Sequence, residues 1–157
     1  MAYPTMAVAN AFIQKAKEGR LPDLSPMKLQ KLLYFAQSWH LKWKDGEPLI
    51  DDTFSRWKFG PVIPSLYHEF KHYGASAIDQ FGTFLSPQGG GYSLVQPTVP
   101  ADDAYTWAVI DEVIRAYGGY SGAQLSGITH RPESAWTITG GPDGGPISNE
   151  DLMRHIG

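Results

Sequence analysis

The sequence predicts an α+β fold that is predominantly helical: about five or six helices around a central hydrophobic helix (residues 26–43), with a small antiparallel β-hairpin or sheet. Three observations lead there. Residues 26–43 are apolar over most of a helical circumference, which marks a helix packed on several sides. Residues 102–117 repeat an apolar face at helical pitch. Between them lie short aromatic and β-branched runs, broken by Gly and Pro at hairpin-like intervals.

Taken in order, Thr5 is placed to cap a first helix with Ala9, Phe12, Ile13 and Ala16 at core spacing and Gly19 as its stop. Leu21–Leu24 connects to the central helix, where Ser25 is the N-cap and Pro26 takes the first helical position. Leu29, Leu32, Leu33, Ala36, His40 and Trp43 share one face, and Lys31, Ser38 and Lys42 form the polar stripe. Asp45-Gly46 is a turn signal. Extended pieces follow around Pro48–Ile50 and Phe54–Phe59, and Gly60-Pro61 breaks that run. Pro64 opens a short helix through Tyr73, closed by Gly74. A second hairpin is expected within the irregular residues 75–100, where Phe81, Phe84 and Leu85 lead into Pro87–Gly91 and Tyr92–Val95 is extended. Asp102 or Asp103 starts a helix with Trp107, Ile110, Val113, Ile114 and Tyr117 inward and Gly118 at its end; Ser121 caps the next, stopped by Pro132. Residues 140–146 read as a flexible loop, and Ser148 caps a last helix carrying Leu152 and Ile156.

At 157 residues the chain suits a single domain, 1–157, with one hydrophobic core. The absence of cysteine excludes disulfides, thiolate metal sites and a cysteine nucleophile. No apolar run approaches the roughly 20 residues of a membrane span and no leader pattern opens the chain, so a cytoplasmic protein is expected. Charge is uneven: residues 1–74 carry ten Lys/Arg against seven Asp/Glu, and residues 75–157 carry three against nine. Neither half has the strongly basic balance of a general nucleic-acid binder.

His68-Glu69-Phe70-Lys71-His72 matches H-E-x-x-H, in which two histidines one helical turn apart hold zinc and the glutamate activates water. A zinc-dependent peptidase is therefore the alternative functional reading, with Glu112 as the available third ligand. Against it, the helix is expected to end just after His72, and no further ligand motif follows. Gly119-Tyr120-Ser121-Gly122-Ala123 approaches a nucleophile elbow but ends in Ala and follows a helix instead of a strand. The glycines of 140–145 lack the Gly-Lys-Ser/Thr ending of a phosphate loop. His40 reads as a buried, hydrogen-bonded histidine, and His130 as satisfying helix-terminal carbonyls while Trp136 folds back on the core. The span Trp57–Pro64 is open to two readings. Its aromatics suit contact anchors that lose little entropy on docking. Equally, Trp57 and Phe59 alternate as one buried strand face would.

Three segments in order, Met27–Gln37, Trp57–Pro64 with Tyr67, and Leu125-Ser126 and Thr129-His130 with Trp136, resemble the Panacea-domain family, which includes the Soc antitoxin and phage-associated, GepA-like proteins. The resemblance implies a mainly helical antitoxin that neutralises a cognate protein toxin by direct contact, without catalytic residues, metal or cofactor. It further implies a cellular protease as the partner where the antitoxin acts as an adaptor, and, from the phage association, a variant reading in which the partner is a host defence factor. On this reading Trp57, Phe59, Pro61, Tyr67, His68 and Glu69 are the candidate partner contacts, and neither nucleic acid nor membrane is a partner.

Overall fold

The computed structural model describes residues 2–157. Helix α1 spans Thr5–Lys17. Thr5 is its first helical residue, not its cap: Pro4 holds the N-cap position without a side-chain bond, and the buried Thr5 hydroxyl faces Asp51 at 3.5 Å. Proline's fixed φ sets the entry into the helix, so no capping oxygen is needed to aim the chain. Gly19 closes the helix at φ +84°.

Helix α2 (Pro26–Trp43) starts as expected, with Ser25 Oγ accepting the Lys28 N–H at 3.2 Å and Pro26 in the first turn. It is the hub, packed by α1 and by five elements that come later in the chain. That enclosure changes the expected polarity of its faces. Lys31 and Ser38 are buried and Lys42 alone of the stripe is exposed, whereas Trp43 reaches solvent and stacks on Trp39. Ser38 Oγ is satisfied inside the helix by donating to the Tyr34 carbonyl at 2.7 Å.

Two α2 glutamines, about two turns apart, stand in for strand partners. Gln30 Oε1 accepts the Ile63 N–H at 2.9 Å and Nε2 donates to the Ile63 carbonyl at 3.0 Å. Gln37 Oε1 accepts from Leu49 and Ile50 N–H at 2.8 and 3.0 Å, and Nε2 donates to the Ile50 carbonyl. Both amides are buried. Gln37→Leu orphans two buried N–H groups, so it is expected to cost about 2–4 kcal/mol; urea unfolding with an unchanged m-value measures it.

Strand β1 (Phe54–Trp57) is the centre of a three-stranded antiparallel sheet, between β2 (Gly60–Val62) and a two-residue β5 (Pro146–Ile147). Gly60-Pro61 thus begins the returning strand instead of ending the run. Gly60 has φ +115°, which lets the backbone reverse after Lys58-Phe59, and Pro61 pairs opposite Arg56. The expected extended piece at Pro48–Ile50 makes only an isolated parallel bridge, Tyr3 with Ile50. Helix α3 (Pro64–Phe70) continues as a 3₁₀ turn over Lys71–Tyr73, closed by Gly74. Strands β3 (Phe84–Gln88) and β4 (Gly91–Val95) form the second hairpin.

Helix α4 (Ala104–Tyr117) is capped by Asp103 through Thr106 N–H, and α5 (Gly122–Thr129) by a Ser121–Gln124 capping box. A single-turn α6 (Ala135–Ile138), which carries Trp136, and α7 (Asn149–His155) complete seven α-helices among the described residues. The loop 140–146 is not free. It wraps the buried Arg56 guanidinium, which donates to the Gly141 and Pro146 carbonyls at 3.1 and 2.8 Å and pairs with Asp143 at 2.6 Å.

Candidate functional site

The hairpin turn between β1 and β2 is held from behind by side chains of α5 and α6. Trp136 Nε1 donates to the Trp57 carbonyl at 3.1 Å, and Ser126 Oγ to the Phe59 carbonyl at 2.5 Å. His130 Nε2 faces the Lys58 carbonyl at 3.0 Å, while Nδ1 faces the Ser126 carbonyl at 2.6 Å. The His130 ring also lies 4.0 Å from the Trp136 ring, between centroids. Three consecutive carbonyls are therefore fixed, and the Trp57 and Phe59 side chains are presented in front of a rigid backbone.

In front of that turn lies a groove of about 490 Å³ between the first turns of α2, the hairpin and α3. Met27, Val62, Leu66 and Phe70 give it an apolar lining. The Trp57 and Tyr67 rings meet edge-to-face at 5.1 Å. Phe59 is 59% exposed and Tyr67 42%, so both rim aromatics face solvent. Of the sequence-predicted contacts, Trp57, Phe59 and Tyr67 come together here. The observed alternation is the reverse of a buried Trp57/Phe59 face, since Phe54 and Arg56 are the inward residues of β1.

The other three sit differently. Pro61 is buried in β2, behind the surface it was expected to join. His68 is exposed on α3, next to Tyr67 but outside the groove lining. Glu69 accepts the Thr83 N–H at 2.9 Å and so ties the approach to β3 onto α3. The H-E-x-x-H spacing loses its helical geometry because α3 ends at Phe70 and His72 lies in the 3₁₀ turn, its ring against Tyr73. Glu112 is bonded to Arg115 on α4. Among the described residues, no group of three or more His, Asp or Glu side chains is placed to hold a metal ion.

Sequence reasoning missed the groove's most unusual residue. Lys31 is 1% exposed and lines the floor, with Nζ donating to the Pro61 carbonyl at 3.2 Å. Gly60 leaves room for it, since a Cβ there would fall 2.9 Å from Lys31 Cε. Burial lowers the Lys31 ammonium to about 8, and no neighbouring carboxylate offsets that shift. The unfolded chain then binds more protons than the folded one between about pH 8 and the ordinary lysine value. The Lys31 contribution to stability is accordingly expected to rise as pH rises through that window. Lys28, also lowered by burial, acts in the same direction, and Tyr34 and Tyr117, raised by burial, act in the opposite one, so the difference between wild type and Lys31→Met isolates the Lys31 share. Chemical denaturation of both proteins at pH 7 and pH 9.5 reads that difference; the same change with pH in wild type and Lys31→Met would contradict the burial argument.

The three segments singled out by sequence thus converge on one structure: α2 supplies the floor, β1–β2 the wall and turn, and α5–α6 the clamp behind it. The model of the antitoxin SocA-like, Panacea domain family matches residues 29–137, a span that contains the hairpin, its clamp and all of the groove except Pro26 and Met27. The chain belongs to the SocA-like Panacea family. It is also similar to "Antitoxin SocA" of Caulobacter vibrioides (strain NA1000 / CB15N), 36% identical over 150 residues that cover 96% of this chain and 76% of that protein. No solved structure matches. In this Panacea chain, α1 and α7 lie outside the matched span but close the core around α2, through Phe12 and Leu152 among others. No helix among the described residues is long and apolar enough to cross a membrane.

Proposed function

We propose that this Panacea chain is an antitoxin that neutralises a partner toxin by direct protein–protein binding, using the groove and its rim. Family membership and the likeness to a curated antitoxin support the antitoxin role. The observation that carries direct binding is the pair of exposed aromatics, Phe59 and Tyr67, beside a backbone turn whose carbonyls are already clamped. Aromatic side chains on a pre-organised segment bury large apolar area at low entropic cost, the usual make-up of interface anchors. Trp57, Phe59 and Tyr67 form the contact centre, His68 and Glu69 flank it, and Pro61 shapes it from beneath. Neutralisation then follows from occlusion: an interface of ordinary size, about 800 Å² per partner, covers the toxin's working surface.

Co-expression tests this directly. The product of the adjacent gene is expressed alone and beside this chain, and growth is scored together with recovery of a complex on purification. Restored growth with a co-purifying complex is the expected result. A product that is harmless alone, or that stays toxic beside this chain, contradicts the reading.

A further inference from the structure

The groove has a sign as well as a shape. Three lysines, Lys31, Lys58 and Lys71, are among its lining residues, and no aspartate or glutamate is. The first turn of α2, which forms one end, carries no acidic residue to offset the positive end of the helix dipole. Lys58 and Lys71 are exposed at the rim, whereas Lys31 is buried beneath with a single carbonyl acceptor. A buried cation without a carboxylate destabilises the free protein. An arriving carboxylate would supply the missing counter-charge.

We propose that the groove receives an acidic segment of the partner protein, seating one or two large apolar side chains between Trp57, Leu66 and Tyr67 while flanking carboxylates meet Lys58, Lys71 and Lys31. This rests on the antitoxin reading and adds the chemistry of the partner at that site. The volume of about 490 Å³ also lies within the range of small-molecule pockets, about 300–1,000 Å³. The open rim bearing two exposed aromatics favours a protein segment instead. A second copy of this chain is the competing occupant, because its own residues 75–157 carry the acidic excess.

A phage-displayed library of short random peptides, panned on the full chain, provides the probe. Enriched peptides are synthesised and their Kd measured at low and high salt against wild type, Lys58→Glu/Lys71→Glu, Lys31→Met, and Arg154→Glu on α7 as a control outside the groove. The expected pool carries Asp or Glu beside Leu, Phe or Trp. Its affinity should fall about tenfold or more in the double charge reversal, fall with salt and in Lys31→Met, and hold in the control. Basic or uncharged peptides, or acidic ones indifferent to the double reversal, overturn the proposal. So does a concentration-dependent dimer of the chain that the double reversal dissolves. Because neutralisation of the toxin is scored separately by co-expression, failure here with neutralisation intact rejects the acidic occupant alone; failure of neutralisation rejects the function beneath it.

Discussion

Replacing Arg56 with alanine is expected to lower stability by about 3–5 kcal/mol, the largest effect of any single substitution in the β-sheet region. The reason is the number of groups that one buried guanidinium satisfies. Its Nε donates to the Gly141 carbonyl, Nη1 to Thr139 Oγ1 and the Pro146 carbonyl, and Nη2 to Asp143. The Arg56 backbone completes the link, its N–H donating to the Gly145 carbonyl and its carbonyl accepting from Gly144. Without the side chain, the loop's carbonyls lose their donors and β5, only two residues long, loses its anchor beside β1. Lysine should rescue little, since a point charge cannot reproduce four bonds in a plane. Asp143→Asn should cost far less: the Asp143 carboxylate is more than half exposed and is held below its usual range first by the Gly145 N–H and then by Arg56. Thermal and urea unfolding of the three variants read these differences.

Substituting Phe59 and Tyr67 together with serine is expected to abolish toxin neutralisation while leaving stability nearly unchanged. Phe59 is mostly exposed and Tyr67 partly so, and with both rings gone the folded chain loses only the edge-to-face contacts of Tyr67 with Trp57 and His68 and the Lys58 ammonium over the Phe59 ring. In an interface they would be central anchors, each worth about 2 kcal/mol or more, so losing both should weaken binding by about a thousandfold. His130→Ala should act indirectly. It frees the Lys58 carbonyl and removes the ring against Trp136, loosening the turn that presents Phe59. The measured pair is complex recovery and unfolding midpoint: the double serine variant should move the first and not the second, and a reduced midpoint would mean that the rings are structural.

Much of this arrangement was legible in the sequence because it rests on local chemistry. Ser25, Asp103, Ser121 and Ser148 cap helices as their positions imply, and Pro26 starts α2. What was not legible depends on contacts distant along the chain. Helical period put Lys31 on a polar stripe, but β2 crosses that face and buries it. Gly60-Pro61 resembles a strand breaker, yet the positive φ of Gly60 is what lets the strand return. The glycine-rich loop looked unconstrained because its organiser, Arg56, lies more than eighty residues earlier. The groove followed the same division: its aromatics could be named from sequence, whereas its lysines and the clamp behind its hairpin required the fold.

The most direct measurement titrates purified chain into purified toxin, with no protease present, and follows residual toxin activity against molar ratio. Neutralisation by covering a surface predicts a steep fall to zero at a fixed ratio, with activity recovered when the complex is separated. Loss of toxin activity at trace amounts of the chain, growing with time and persisting after separation, would contradict it, because that is the behaviour of a catalyst.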